Sequence, residues 1–151
     1  MTPTKPAAPG PVPNEVAKMV CFYDVNPFKS FDEAGDPNPE GFRVTVVLAS
    51  RKTGKGIAAA GVIHMKMYRV DRIAPDKVVR TLVREWTADT EGLRTFRSGA
   101  LGEGYKLDFC WAKEDDVLGR EVEFVPSFEG PDGCVVRGQT KAQHVPVHKT
   151  P

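Results

Sequence analysis

Side-chain oxygens crowd one short stretch of this chain: Asp32-Glu33-Ala34-Gly35-Asp36-Pro37-Asn38-Pro39-Glu40-Gly41. Asp36, Asn38 and Glu40 put oxygen ligands at alternate positions and Gly41 follows at the sixth, which is how a calcium loop opens. A hard divalent cation takes about six to eight oxygens, so carboxylates and an amide gathered on a bent loop suit it. The twelfth position from Asp36 is Val47, where a helix-flanked loop needs a bidentate Glu, and Pro37 and Pro39 stiffen the backbone. That excludes the helix-flanked calcium hand. It leaves a degenerate sandwich-type loop in which Asp32, Asp36, Asn38 and Glu40 hold calcium. The competing and preferred reading is a solvated acidic loop with no cofactor. A second acidic turn, Glu114-Asp115-Asp116, can add ligands only if the fold brings it to the same end of the molecule.

Other constellations fall short of a chemistry. His144 and His148 are four apart, but Pro146 between them opposes the helix that would put both on one face. Arg51-Lys52-Thr53-Gly54-Lys55-Gly56 lacks the order of a phosphate loop and has no helix after it, so it reads as a basic hairpin tip. No serine sits in a Gly-x-Ser-x-Gly elbow. Cys21, Cys110 and Cys134 form no CxxC pair, and their odd number leaves at least one thiol. A cysteine nucleophile would need a nearby base, which only the fold can supply. The expectation is a protein that is not an enzyme.

The elements that must position these residues are strands. Tyr105, Leu107, Phe109 and Trp111 alternate with Lys106, Asp108 and Cys110, the period of a strand with one face buried. Cys110 then points away from the core. Similar runs occur at 19–24, 42–49, 62–70, 78–86, 122–128 and 134–139, separated by Gly, Pro and Asp turn signals. Phe42, Val44, Val46 and Leu48 face inward with Val47 outward; Met65 and Met67 fill the core beside Ile63. The faces of 78–86 stay open, because Val79 and Val83 compete with Leu82 and Trp86. Pro126 marks an edge or a bulge. About seven strands at this spacing give an all-β antiparallel sandwich over residues 17–140. The flanks are a proline-rich linker at 1–16 (Pro3, Pro6, Pro9, Pro11, Pro13) and a polar tail at 141–151, both expected to be disordered.

Composition narrows the partners. Twenty-one basic against 20 acidic residues give a net charge of +1, without the basic excess of nucleic-acid-binding domains. No apolar run is long enough for a transmembrane helix. The N-terminus as written has no apolar leader, and its linker composition is that of a tether. A removed leader would place the domain outside the cytoplasm; otherwise it would be cytoplasmic.

The stretch Gly104-Tyr105-Lys106-Leu107-Asp108-Phe109 resembles the penultimate strand of bacterial immunoglobulin-like and fibronectin-type β-sandwich modules. The resemblance implies an immunoglobulin-like sandwich, and a Tyr105 hydroxyl bonded back to the corner near 99–103. It also implies a role in binding, spacing or display rather than catalysis. The expected function is an interaction or structural module of the cell envelope or of an assembly, with a protein or envelope component as partner. Contact would be made through end loops or a sheet edge. Phe28 and Phe31, in a loop read as 26–40, are either pinned to the core or the leading contact residues, with Arg43 and Tyr68 behind them. The alternative is a calcium-dependent ligand- or carbohydrate-binding domain using loop 32–40.

Overall fold

A computed structural model describes residues 15–30, 38–97 and 99–147. Nine strands follow one another: β1 (Val16–Lys29), β2 (Gly41–Ser50), β3 (Val62–Ala74), β4 (Lys77–Asp89), β5 (Phe96–Arg97), β6 (Glu103–Cys110), β7 (Glu121–Glu129), β8 (Val135–Arg137) and β9 (Lys141–His144). They form two antiparallel sheets packed face to face. One runs β1-β2-β6-β5; the other runs β4-β3-β7-β8, with β9 also paired to β7. Neighbours β2 and β6, or β3 and β7, are far apart in sequence, so the chain crosses between sheets rather than meandering within one.

Alternation decides the core. Phe42, Val44, Val46 and Leu48 of β2, Ile63, Met65 and Met67 of β3, Tyr105, Leu107 and Phe109 of β6, and Val122, Phe124 and Phe128 of β7 are all buried. At the centre the Phe42 and Phe124 rings stack across the two sheets with centroids 4.1 Å apart. Trp86, on the edge strand β4, meets Phe42 edge-on, tilts over Phe109 and donates its indole N–H to the Cys110 carbonyl at 2.8 Å. Arg84 reaches across the same seam to Asp115 at 2.6 Å. Burial alone would raise the Asp115 carboxyl, but Arg84 and the Ala112 N–H outweigh it and hold it below its usual range.

Several expectations need correction. Nine strands lie among the described residues, the short β5 and β8 included, where about seven were expected. β1 continues through Asn26 to Lys29, with an irregularity between Tyr23 and Phe28 that absorbs Pro27, so the loop read as 26–40 is shorter than expected. β9 lies inside the segment read as a polar tail, and Val145 beyond it is buried. Val47 does point out of the sandwich, as its parity requires, yet it is buried because the turn ending at Gly56 folds over it. Pro126 sits in β7, between β3 and the β8–β9 pair, rather than at an edge. Its carbonyl accepts from Gly138 N–H at 3.0 Å, so its missing N–H points the same way, to the place where β8 stops and β9 has not begun.

The open question in β4 also resolves. Leu82 pairs with Tyr68 and Arg84 with Met67, leaving Val83 as an extra residue. This bulge flips the phase of the strand. Trp86 and Ala88 therefore face the core, while Leu82 and Val79 are exposed. The strand β6 is followed by three more and pairs with β2 and β5, so it is not penultimate. Its Tyr105 hydroxyl accepts from Ala59 N–H at 3.3 Å, on the β2–β3 connection, and not from the 99–103 corner.

Candidate functional site

Strand pairing brings the two acidic segments together. Gly41 at the start of β2 lies opposite Cys110 at the end of β6, and Trp111 N–H donates to the Glu40 carbonyl at 2.8 Å. The chain entering β2 and the chain leaving β6 are thus held side by side at one end of the sandwich. Between them lies a depression of about 640 Å³, lined by Asn38, Pro39, Glu40 and the run from Trp111 to Glu114, then Asp116, Val117 and Leu118.

The floor is apolar and the rim is charged. Trp111 and Val117 are buried, and the Trp111 ring meets Phe28 edge-on at 6.1 Å. Leu118 is 37% exposed. Residues Lys113–Asp115 make one 3-10 turn, and Asp116 closes it in the left-handed region at φ 52°. Short acidic side chains tolerate that conformation better than most. Asp116 is then gripped by Arg120 at 3.1 Å, and a network of Arg69, Asp71, Asp116 and Arg120 braces the turn against β3. Glu40 is fixed by both backbone groups, its N–H donating to the Lys29 carbonyl at 2.9 Å. One of its carboxylate oxygens, Oε1, is buried with no hydrogen-bond partner among the described residues.

The residues singled out from sequence are only partly gathered here. Asn38 and Glu40 line the depression, and the condition set for the Glu114–Asp116 turn is met. Asp32, Asp36 and Phe31 lie outside the described residues. Phe28 takes the core placement of its two alternatives: it is 6% exposed and packs on Trp111 and Phe124. Arg43 stands on the outer face of one sheet in a two-pronged bond to Asp108 at 2.7 and 3.0 Å. Tyr68 lies on the outer face of the other sheet, so these two belong to neither the depression nor each other. Sequence reasoning took Trp111 as core alone and passed over Lys113, Val117 and Leu118. The signal for them was the acidic turn itself, once its end of the sandwich was known.

Among the described residues no group of three or more His, Cys, Asp or Glu is placed to hold a metal ion. The cysteines are all thiols with no disulfide between them. Burial pushes the Cys21 thiol up to about 12. Cys110 is raised by burial and by the Asp108 and Glu40 charges, and Cys134 by its hydrogen bond to Asp132. Each environment favours the thiol over the thiolate, the direction opposite to that of a nucleophilic cysteine. No protein-family model matches the chain, and no curated protein is significantly similar to it.

Proposed function

We propose that this domain is a non-enzymatic, immunoglobulin-like interaction module that engages a protein or cell-envelope partner through the end depression between residues 38–40 and 111–118. The strand order supports the architecture. An A-B-E-D sheet facing a sheet built on C-F-G, with an added strand beside C, is the immunoglobulin arrangement. The order β1-β2-β6-β5 facing β4-β3-β7-β8 is compatible with it, with β9 as a further strand paired to β7. The depression carries the functional part of the reading. It is an apolar floor with a charged rim, built from two connections on rigid strands, which is where sandwich folds place recognition. The raised thiols add support, since the cysteines are poorly set up as nucleophiles.

The test is a photo-crosslinking residue placed at Leu118, compared with the same residue at Thr53 in the turn at the opposite end. Both are introduced in the cells that make the protein. A discrete adduct from position 118 that is absent from position 53, and weakened by the charge reversal Lys113→Glu, is the expected result. Equal labelling from the two ends, or none from 118, would remove the depression as the contact surface.

A second reading keeps calcium, and one observation favours it: Glu40, whose Oε1 is buried without a hydrogen-bond partner among the described residues, lines the same depression as Glu114. Asp32 and Asp36 would complete the ligand set, while Asp116 is already neutralised by Arg120. Calcium would raise the melting temperature of the wild type and leave Glu40→Gln unmoved. An unchanged melting curve in calcium and in chelator ends this reading and leaves the first intact.

A further inference from the structure

A lysine lies opposite a core residue at the edge of the second sheet, with its own side chain exposed. Lys141 of β9 pairs directly with Phe124 of β7, which is fully buried, and opposite residues in an antiparallel pair share a face. The Phe124 ring stacks on Tyr23 of β1 at 5.8 Å, so Lys141 and Tyr23 border the same seam between the sheets. There the chain leaves β7 between β8 and β9, at Gly138 to Thr140, because Pro126 offers no donor on that side. A hydrogen in place of a side chain at Gly138 is required too: an added Cβ would lie 2.8 Å from the Pro126 ring and 3.4 Å from the Met19 sulfur.

The result is a slit of about 330 Å³ lined by Cys21, Phe22, Tyr23, Gln139, Thr140 and Lys141. Its chemistry is one-sided. The residues that line it carry an ammonium, an amide, two hydroxyls and a thiol, and no carboxylate. Lys141 makes no ion pair among the described residues. The Tyr23 hydroxyl is buried without a hydrogen bond of normal geometry. Cys21 is close enough to perturb it, but sulfur is a weak partner. Buried hydroxyls without partners are uncommon and call for one.

We propose that this slit is a site for a small oxyanion, a carboxylate or phosphate group, with Lys141 supplying the charge and the Tyr23 and Thr140 hydroxyls donating to it. The site is independent of the end depression. Two sources carry this chemistry: a free anion, and the terminal carboxylate of a peptide.

The experiment is an NMR titration of the whole domain at constant ionic strength, with chloride as the reference ion. The probes are inorganic phosphate, acetate, and a short peptide with either a free or an amidated C-terminus. The expected result is saturable shifts at residues 21–23 and 139–141. Binding should weaken about tenfold in Lys141→Met, which keeps the apolar stem, and by a smaller factor in Tyr23→Phe. Saturation by phosphate or acetate with no advantage for the peptide assigns the site to a free anion. Tighter binding of the free-carboxylate peptide than of its amidated twin assigns it to a chain terminus. Tyr23→Phe should fold about as well as the wild type in anion-free buffer, because the hydroxyl it loses has only the weakly bonding Cys21 thiol beside it there. Shifts that never saturate, or that are unchanged in Lys141→Met, overturn the site and leave Lys141 as a stem laid over aromatic surface with its ammonium in water.

Discussion

Phe42→Ala should destabilise the domain by about 3–5 kcal/mol, a large part of the roughly 5–15 kcal/mol that holds a typical domain together. The expectation rests on position as well as size. Phe42 is fully buried and meets four other rings: Phe124 at 4.1 Å, Trp86 and Phe109 at 5.5 Å each, and Tyr23 at 6.4 Å. Those rings come from both sheets, so the cavity left behind would lie on the interface that defines the sandwich. Surrounding strands, fixed by their ladders, could close it only in part. The melting temperature should fall by roughly 10 °C. Phe42→Leu, which keeps most of the buried volume, should lose less than half as much. A double-mutant cycle with Phe124→Ala should return a coupling of about 0.5–1.5 kcal/mol for the stacked pair. A loss from Phe42→Ala no greater than that from Phe42→Leu would mean that the two sheets are not locked through this ring.

The residues of that core were legible because a half-buried strand writes its inner face at every second position. Phe42 to Leu48 and Tyr105 to Trp111 do so without interruption. Legibility failed where one residue changed the phase or a neighbour changed the exposure. The Val83 bulge shifts β4 by one, and no local signal distinguishes it from an ambiguous pattern. Val47 has an outward parity but is buried by a turn that reaches it from beyond the end of its own strand. Lys141-Ala142-Gln143-His144 carries almost no apolar residue, since a short outer strand needs only backbone pairing to β7, and so it reads as a tail. The candidate site was half visible. Each acidic segment stood out by composition, but the two are about seventy residues apart, and only the pairing of Gly41 with Cys110 joins them. The end of β1, with Phe28, read as loop because a proline within the strand looked like its end rather than an irregularity inside it.

The same covering turn gives the second large effect. Gly56→Ala should destabilise by about 3–5 kcal/mol, far more than adding one methyl group usually does. Gly56 bridges Ala49 on one side and Gly102 on the other, donates to the Leu101 carbonyl at 2.8 Å and accepts from Glu103 N–H at 2.9 Å. An added Cβ would collide with the Glu103 carbonyl and approach a Val47 methyl to 2.7 Å. The first obstacle is backbone of the strand β6, so no rotamer change relieves it. Relief requires the turn to lift, which breaks both hydrogen bonds and uncovers Val47. Two other glycines supply the scale. Gly54 has φ +76° and open space around it, so its alanine variant should lose only about 1–2 kcal/mol to left-handed strain. Gly92 has neither strain nor neighbours, and its alanine variant should be neutral or slightly more stable, by up to about 1 kcal/mol. Chemical denaturation of the three variants would rank them. If Gly56→Ala unfolded at the same denaturant concentration as Gly92→Ala, the turn would not be seated on the sheet, and the burial of Val47 would need another cause.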